Sequence, residues 1–328
     1  MKAVIRGTGA SIPTATLTNA DLEALVDTTD EWIVARTGIR ERHRLEAGKG
    51  ASELATAAGR AALESAGLQP SDLDMIVVAT CTPDMPMPAT AAFVQRDLRV
   101  GRPIPAFDMN AVCSGFLYGL DVVQSQIESG RYGCVLLVGV DVMTRLMDYQ
   151  DRSTCVLFGD GAGAVVLVGE QSERGIQVTK IKSDGEFWDL IHVPGGGSRR
   201  PASPYMLTQR EQYMRMNGPQ TFKLAVQSIE QIARDTIEAV GWTLADVDHV
   251  IVHQANGRIV EAVAERLGLP PLKLPTNVMQ MGNTSAASVP VLLDQCNREG
   301  RLSAGDRVLC VAFGSGLTWG ASAIVWDS

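Results

Sequence analysis

An internal repeat constrains the fold of this chain more than any other feature of its sequence. The segment SAGLQPSDLDMIVVAT, which contains Asp74, resembles EAVGWTLADVDHVIVHQ, which contains Asp248, and each has the pattern of a helix end, a turn and a buried strand. Gly67 and Gly241 are separated by the same interval as the two aspartates. Later segments, RYGCVLLVGVD and AGDRVLCVAFGSG, resemble each other in the same order. Repetition of this kind indicates two copies of one structural unit.

Valine-rich runs of strand length alternate with helical patterns along the chain. The runs span residues 75–79, 135–140, 250–252, 308–313 and 321–326. They are largely continuous, as expected for strands buried on both faces. Helical spacing recurs over 222–240 and over 259–267. We therefore predict an α/β layered fold with two halves, 1–170 and 171–328, divided at the polar stretch GEQSERG.

The charge balance and the positions of cysteine and histidine argue against several kinds of partner. The 328-residue chain carries a formal net charge of −8, whereas nucleic acid and anionic membranes bind basic surfaces. The six cysteines form no CxxC pair, and the four histidines show no metal-ligand spacing. We expect no disulfide framework, no metal, and neither a nucleic-acid nor a membrane partner.

No segment has the pattern of a targeting or membrane-spanning sequence. The apolar stretch that opens MKAVIRGTGASIP is too brief for a signal peptide. No run approaches the ~18 apolar residues of a membrane span. We expect a soluble protein of the reducing cytoplasm, where a free thiol can serve as a reagent.

Cys113 lies where a strand pattern gives way to a helical one. The stretch PAFDMNAV precedes it, and Phe116, Leu120 and Val123 follow at helical spacing. Unpaired amides and the helix dipole at such a turn favour the thiolate over the thiol. The small neighbours of Cys113 leave room for a substrate, although a cysteine at a turn is by itself more often a packed residue.

His253 and Asn283 lie at two further strand or turn ends. His253 follows the apolar run HVIV and precedes a helical pattern, which places it where ligands bind in open α/β sheets. Asn283 lies in QMGNTSAASVP, a turn that leads into another helix. Taken singly, His253 could be satisfied by backbone groups and Asn283 could be a helix N-cap.

Four segments together carry a family resemblance. CSGFLYGL, HQANGRIVEA, GNTSAASVP and FGSGLTWG resemble the 3-oxoacyl-[acyl-carrier-protein] synthase III family, also called beta-ketoacyl-ACP synthase III, of the thiolase superfamily. DEWIVARTGIRERH and DRSTCVLFGDGAGAVVL belong to the same resemblance, which covers nearly the whole chain in order. It implies a homodimer with a thiolase-like five-layered αβαβα fold, in which the first duplicated half carries the cysteine and the second carries His253 and Asn283.

The resemblance implies a decarboxylative Claisen condensation that initiates fatty acid biosynthesis. Cys113 would take the acyl group from a coenzyme A thioester, which is a substrate and not a cofactor. A malonyl group on acyl carrier protein would then lose carbon dioxide, and the enolate would attack the acyl-enzyme. His253 and Asn283 would donate hydrogen bonds to the enolate oxygen, and the backbone amides of Cys113 and Ser315 would form the oxyanion hole.

The resemblance also implies binding roles. Trp32 and Arg152 would sandwich the adenine of coenzyme A, Arg36 would contact a phosphate, and Asn256 would face the pantetheine arm. The residues themselves also fit a buried tryptophan with ordinary surface arginines.

Three further positions match the family at its acyl pocket and its carrier-protein surface. Arg258 and Lys223 would contact the acidic acyl carrier protein. Met87 lies where the family carries a gate residue for acyl length, and its flexible side chain suggests a pocket that accepts more than acetyl.

Two glycine-rich stretches need separate interpretations. The segment from Ser183 to Gly218 has many turn formers and little periodicity, so we predict a long surface loop or flap. FGDGAGAVVLVG resembles a phosphate-binding loop, but a strand pattern and not a helix follows it. We predict that its glycines allow close packing near the active site.

Several other functions remain open from sequence. A thiolase-fold priming synthase or an acyltransferase of secondary metabolism, of polyketide or quinolone type, is the nearest alternative. A cysteine hydrolase could use Cys113 and His253, but it would need neither Asn283 nor a carrier-protein arginine such as Arg258. Type III polyketide synthases share the three residue types but not the HQAN and GNTSAAS contexts. A catalytically silent relative is disfavoured because all three reactive positions are filled.

Overall fold

The structure, a computed structural model, describes residues 1–327 as a mixed α/β protein. Within these residues the strands are β1 (Lys2–Ser11), β2 (Thr16–Thr18), β3 (Glu41–His43), β4 (Met75–Ala79), β5 (Ala106–Met109), β6 (Cys134–Val142), β7 (Asp160–Glu170), β8 (Gly175–Ser183), β9 (Ile191–His192), β10 (Arg215–Met216), β11 (His249–Val252), β12 (Arg307–Gly314) and β13 (Thr318–Val325). The helices are α1 (Asn19–Glu23), α2 (Asp30–Thr37), α3 (Ala51–Ala66), α4 (Thr90–Leu98), α5 (Gly115–Glu128), α6 (Pro204–Thr208), α7 (Gly218–Ala239), α8 (Gly257–Leu267), α9 (Val278–Met281) and α10 (Ser288–Arg298). Every predicted strand and helix forms, with ends that differ by a few residues. None of these helices combines the length and the apolar character that crossing a bilayer requires.

The strands form two main sheets, and each sheet draws on one side of residue 170. The first has the order β1-β7-β6-β4-β5, and the second has the order β11-β12-β13-β8. β4 pairs in parallel with β5 and β6, and β11 pairs in parallel with β12. The strands β1 and β7 of the first sheet, and β13 and β8 of the second, run antiparallel to their neighbours. The domain division at residue 170 stays a prediction, and this partition of the sheets supports it.

The two aspartates of the sequence repeat have the same structural role. Asp74 accepts hydrogen bonds through Oδ2 from the amides of Gly133 and Cys134, at 2.9 and 3.0 Å. Asp248 accepts one through Oδ2 from the amide of Arg307 at 2.8 Å. In both halves the carboxylate therefore holds the start of the neighbouring parallel strand, β6 or β12. The repeat in sequence is thus a repeat in hydrogen bonding.

Helices cover both faces of both sheets. α5 and α10 lie between the sheets, where Leu117 and Leu292 share one apolar cluster with Val77 of the first sheet and Ile251 of the second. α3 and α4 cover the outer face of the first sheet, and α7 and α8 cover that of the second. The order of layers is therefore αβαβα, as predicted. The side chains of this cluster in the middle layer are buried and apolar, so it joins the halves through hydrophobic burial.

The glycines around β7 serve close packing and not phosphate binding. A Cβ on Gly163 would lie 2.5 Å from the amide nitrogen of Val291 in α10, and one on Gly159 would lie 2.6 Å from the carbonyl oxygen of Met281. β7 begins at Asp160 and continues as a strand, so there is no helix for a phosphate loop to precede. The packing interpretation of FGDGAG is confirmed.

Residues 184–217, hereafter the flap, contain more regular structure than the sequence indicated. β9 and β10 pair antiparallel within the flap, and the short helix α6 lies between them. The side chains of Trp188, Tyr205 and Leu207 are largely exposed. The segment is largely a surface flap, as predicted, but it also contains paired strands and a helix that are too short to show periodicity in the sequence.

Replacing Gly163 by alanine should destabilise the protein. The added methyl group must displace the backbone of α10, and overpacking of this kind costs ~1–3 kcal/mol. Urea denaturation followed by circular dichroism would measure the change. Gly197→Ala is the matched control, because no atom lies within 4 Å of a Cβ there. Equal stabilities for the two variants would contradict the packing argument.

Candidate active site

One large pocket lies between the two halves and brings the three predicted reactive residues together. Its volume is about 570 Å³, and Cys113, His253 and Asn283 all contribute to its wall. Most of the remaining wall is apolar. Such a pocket suits a ligand with a long apolar portion and a few polar atoms that must be oriented.

Cys113 is presented by a strained turn. It lies in a 3₁₀ turn, Val112–Ser114, which follows β5 and leads directly into α5. Val112 has a φ of 47°, a left-handed conformation that costs a β-branched residue about 1–3 kcal/mol. Strain of this size persists where the surrounding structure enforces it. The predicted strand-to-helix position of the thiol is thus present in the structure.

The turn after β12 enforces this conformation from the other half of the chain. A Cβ on Gly314 would lie 2.9 Å from both the Cβ and the amide nitrogen of Cys113, so only glycine fits there. The Oγ1 atom of Thr318 donates to the carbonyl of Ala111 at 2.9 Å, and Ser114 Oγ donates to the carbonyl of Thr318 at 3.0 Å. The segments FGSG and CSG are therefore one packed unit.

His253 follows β11 directly and faces the pocket as a neutral imidazole. Its side chain is buried, and burial lowers its pKa to about 4. At neutral pH the ring therefore carries a single proton and can donate one hydrogen bond. The backbone amide of His253 donates to the carbonyl of Val311 at 2.8 Å, which fixes the residue against β12. Within residues 1–327 its Nδ1 atom has no hydrogen-bond partner.

Asn283 is oriented by its own turn. Its Oδ1 atom accepts a hydrogen bond from the amide of Ser285 at 2.9 Å. Because this contact assigns the oxygen, the Nδ2 group is left as the donor. The backbone of Asn283 is held by hydrogen bonds to Leu157 and Gly159, of 2.8 and 3.0 Å. Asn283 therefore caps a turn, as its isolated sequence context suggested, and lines the pocket as well.

Burial decides the protonation of Cys113 in the free protein. The pKa of the thiol is raised to about 12, chiefly by burial and also by nearby Asp141, while the Ser285 hydroxyl and the backbone amide of Cys113 act in the opposite direction. Ser285 Oγ makes no well-formed hydrogen bond in the described chain, so its contribution is a weak one. Desolvation is the largest influence on the free thiol, and it opposes the thiolate that the helix end was expected to favour.

Asp141 is a residue that the sequence analysis missed. Its Oδ1 atom accepts hydrogen bonds from Thr80 Oγ1, the amide of Cys81 and Thr82 Oγ1, at 3.1, 2.8 and 2.9 Å. Its Oδ2 atom accepts one from the amide of Ala286 at 3.1 Å. This buried carboxylate ties the end of β4 to the Asn283 turn. A single aspartate near the end of the apolar run CVLLVGVD was the only sequence signal.

Aromatic and basic side chains surround the pocket mouth. The guanidinium carbons of Arg36 and Arg152 each lie 4.8 Å from the centre of the Trp32 ring. Asn256 accepts a hydrogen bond from the amide of Arg258 at 2.9 Å and donates one to the carbonyl of Arg36 at 3.3 Å. Trp32, Arg36, Asn256 and Arg258 line the pocket. The structure thus places these four predicted binding residues at one rim of the pocket.

Three predicted residues lie outside the pocket wall: Arg152, which contacts the Trp32 ring, Met87 and Lys223. Met87 is 81% exposed, and within one chain it does not line the pocket. Lys223 is exposed on α7, next to Phe222, and the Arg258 guanidinium lies 5.8 Å from the Phe222 ring. Lys223 and Arg258 are both exposed, and Arg258 contacts the helix that carries Lys223. Among residues 1–327, no group of three or more acidic, histidine or cysteine side chains could hold a metal.

Known proteins are similar to this chain over nearly its whole length. Family models described as 3-oxoacyl-[acyl-carrier-protein] synthase III match residues 107–185, and its C-terminal model matches residues 237–326. A beta-ketoacyl-[acyl-carrier-protein] synthase III from Thiobacillus denitrificans is 49% identical, with 97% of each chain covered. The enzyme of that name from Symbiobacterium thermophilum is 46% identical, covering 98% of this chain and 97% of its own.

Solved structures are also similar to this chain over nearly its whole length. The 3-oxoacyl-[acyl-carrier-protein] synthase III of Aquifex aeolicus is 42% identical, with a TM-score of 0.91 over 99% of this chain and 100% of its own. The priming beta-ketosynthase of the R1128 polyketide pathway is 32% identical, with a TM-score of 0.92 over 99% of this chain and 96% of its own.

The raised thiol pKa predicts how Cys113 reacts with iodoacetamide in the absence of substrate. Because the thiolate is a minor species well below pH 12, the alkylation rate should rise about tenfold per pH unit between about pH 7 and pH 9. Intact-protein mass spectrometry measures the rate, and Cys113→Ser gives the background from other cysteines. A rate that reaches a plateau near pH 7 would contradict the desolvation argument.

Proposed function

The chain belongs to the 3-oxoacyl-[acyl-carrier-protein] synthase III family of acyltransferases, and on that premise we propose the reaction that its pocket supports. It condenses an acyl-coenzyme A starter with malonyl-[acyl-carrier-protein] to give a 3-oxoacyl product, the first condensation of fatty acid biosynthesis. The observation that carries this proposal is the convergence of Cys113, His253 and Asn283 on one pocket. The higher identity to synthase III enzymes than to the R1128 priming synthase favours this function over the secondary-metabolite alternative.

The first step transfers the acyl group to Cys113. The sulfur attacks the thioester carbonyl, a carbon–sulfur bond to Cys113 forms, and the bond to coenzyme A breaks. The thiol proton leaves with the coenzyme A sulfur. Because burial keeps the free thiol protonated, the proton must be lost as substrate binds and not beforehand. The apolar pocket then shields the acyl-enzyme from hydrolysis.

The second step breaks and forms a carbon–carbon bond. The malonyl group loses carbon dioxide, and the electron pair of the broken bond passes to an enolate. The enolate carbon attacks the acyl thioester, the bond to sulfur breaks, and Cys113 regains a proton. An enolate oxygen is stabilised by hydrogen-bond donors that carry no negative charge. The neutral imidazole of His253 and the side-chain amide of Asn283 are two such donors.

Backbone amides serve the tetrahedral intermediate. The Gly314 backbone packs against the Cys113 amide, so the amides of Cys113 and Ser315 belong to adjoining turns. Donors held in packed turns need little reorganisation when negative charge develops, which is the basis of an oxyanion hole. We assign that role to these two groups.

The rim of the pocket binds the two carriers. Trp32 with Arg152 suits a purine ring, since an arginine can stack on either aromatic system. Arg36 at the rim suits a phosphate, and Asn256 suits the amides of a pantetheine arm. Arg258 and Lys223 form a basic outer surface, which complements an acidic carrier protein.

A homodimer is the assembly that we propose. β5 forms an edge of the first sheet, and its Phe107 is 38% exposed. Met85 and Met87 are also exposed apolar residues, at 43% and 81%. An edge strand with exposed apolar side chains fits pairing with a second copy. The gate role of Met87 then requires the dimer, because Met87 lies outside the pocket of its own chain.

The compartment that suits this chemistry is the cytoplasm. The six cysteines are all free thiols in the structure. Thiols persist in reducing compartments, and Cys113 must remain reduced to accept an acyl group.

Acylation and condensation can be separated by variants. Intact-mass measurement with a panel of acyl-coenzyme A donors should give one acyl increment, which Cys113→Ala abolishes. Addition of malonyl carrier protein should then release carbon dioxide and form the 3-oxoacyl product. Asn283→Ala should still be acylated but should lose about 10²–10³ in condensation rate. Acylation of the unaltered protein without condensation would move it to the plain acyltransferases.

Removal of the Trp32 ring should weaken substrate binding more than catalysis. Trp32→Ala should raise KM for acyl-coenzyme A by about 2- to 30-fold, the size of a cation–π or stacking contribution, with a smaller change in kcat. Trp242→Ala is the matched control, because Arg307 lies 5.2 Å from that ring on a different part of the protein. If both variants have the KM of the unaltered protein, the binding role of Trp32 is wrong.

A further inference from the structure

The hydroxyl of Ser315 connects the flap to the turn that packs on Cys113. Ser315 Oγ donates a hydrogen bond to the carbonyl of Ile191 at 2.5 Å. This contact joins residues that are 124 positions apart, so it is a tertiary link and not a local turn. A backbone role for Ser315 uses its amide and leaves the side chain unexplained.

The flap side of this link forms part of the pocket wall. Ile191 in β9 pairs with Met216 in β10, and both residues line the pocket, as does Met214. β10 has an anchor of its own, because the amide of Met214 donates to the carbonyl of Leu146 at 2.9 Å. Ser315 supplies the corresponding anchor for β9.

The other side of the link is fixed relative to the reactive sulfur. Gly314 packs against Cys113 within van der Waals distance. Thr318 Oγ1 lies 2.9 Å from the carbonyl of Ala111 and 3.0 Å from that of Ser315. A shift of the Ser315 side chain relative to Cys113 is therefore resisted, and the hydroxyl transmits this fixed position to β9.

Much of the flap is otherwise held at its ends. Asp184 and Leu317 exchange two backbone hydrogen bonds of 2.9 Å, and the amide of Asn217 donates to the carbonyl of Leu190 at 2.8 Å. The intervening segment 196–205 is exposed. Ile191 and Met216 also pack against the apolar cluster that contains Met214, and Arg210 pairs with Asp148 outside the flap. Apolar packing is not directional, so the Ser315 hydroxyl adds the polar contact that sets where the β9 backbone lies.

We propose that the Ser315 hydroxyl is a positioning residue that sets acyl-chain selectivity by holding the β9–β10 wall at a fixed distance from Cys113. The inference rests on the proposed acylation of Cys113. With the hydroxyl present, the wall of Ile191, Met214 and Met216 limits the length or branching of the acyl group. Without it the wall moves outward, because alanine or glycine at position 315 offers no donor to the Ile191 carbonyl.

The test compares Ser315→Ala and Ser315→Gly with the unaltered protein. Rate constants for acylation of Cys113 by acetyl- and hexanoyl-coenzyme A are measured by intact-protein mass spectrometry at substrate concentrations below saturation. The ratio of the hexanoyl to the acetyl rate constant should rise about two- to tenfold in both variants, as expected for loss of one neutral hydrogen bond. Amide hydrogen exchange should become faster in β9 and β10.

The matched control is Ser203→Ala, which removes a helix cap inside the flap. Ser203 Oγ accepts a hydrogen bond from the amide of Met206 at 3.2 Å, and the residue touches neither Ser315 nor the pocket wall. This variant should keep the selectivity ratio of the unaltered protein.

Three outcomes would overturn the inference, and one of them is specific to the proposed function. An unchanged ratio in both Ser315 variants, with normal acylation, leaves the function intact and removes the role of the hydroxyl. A changed ratio in Ser315→Gly alone assigns the effect to backbone freedom. If no donor of the acyl-coenzyme A panel acylates the unaltered protein, the proposed function is wrong and the inference falls with it.

Discussion

Close approach of backbone to backbone at glycine is the constraint on which this structure depends. A Cβ on Gly139 would lie 2.3 Å from the carbonyl oxygen of Ala286, and one on Gly314 would lie 2.9 Å from the amide of Cys113. Each contact joins one half of the chain to the other. Because the halves meet without intervening side chains at these two points, Cys113 from the first half and His253 and Asn283 from the second can face one pocket.

The same closeness determines the electrostatics of the site. Desolvation disfavours charge on either group, so it raises the pKa of Cys113 to about 12 and lowers that of His253 to about 4. Both groups are neutral before substrate arrives. A neutral imidazole is a hydrogen-bond donor that can stabilise an enolate, and a protonated thiol is protected against adventitious reaction. Burial therefore lowers the reactivity of Cys113 in the free protein, and it favours reaction of this thiol with a substrate that is bound in the pocket.

The remaining specificity lies in parts of the chain that are less tightly packed. The flap forms one wall of the pocket, and the rim around Trp32 forms its mouth. These parts can vary in sequence without disturbing the layered core, whose dense apolar clusters hold the sheets together. A tightly packed centre with a less tightly packed wall is a physical basis for acyl-group selectivity.

Local patterns in the sequence predicted an α/β layered fold, but the order of the layers and the roles of the three residues were implied only by the family resemblance. Hydrophobic periodicity predicted the strands and helices, and the repeat of Asp74 at Asp248 predicted two equivalent halves, because both depend on contacts between near neighbours or on copied segments. The positions of Cys113, His253 and Asn283 followed from strand and turn ends together with the family resemblance. Only the tertiary structure decided that burial raises the pKa of Cys113, that Met87 lies outside its own pocket, and that Asp141 and Ser315 connect distant segments. These features depend on distances between residues far apart in the chain, and no local pattern encodes such distances.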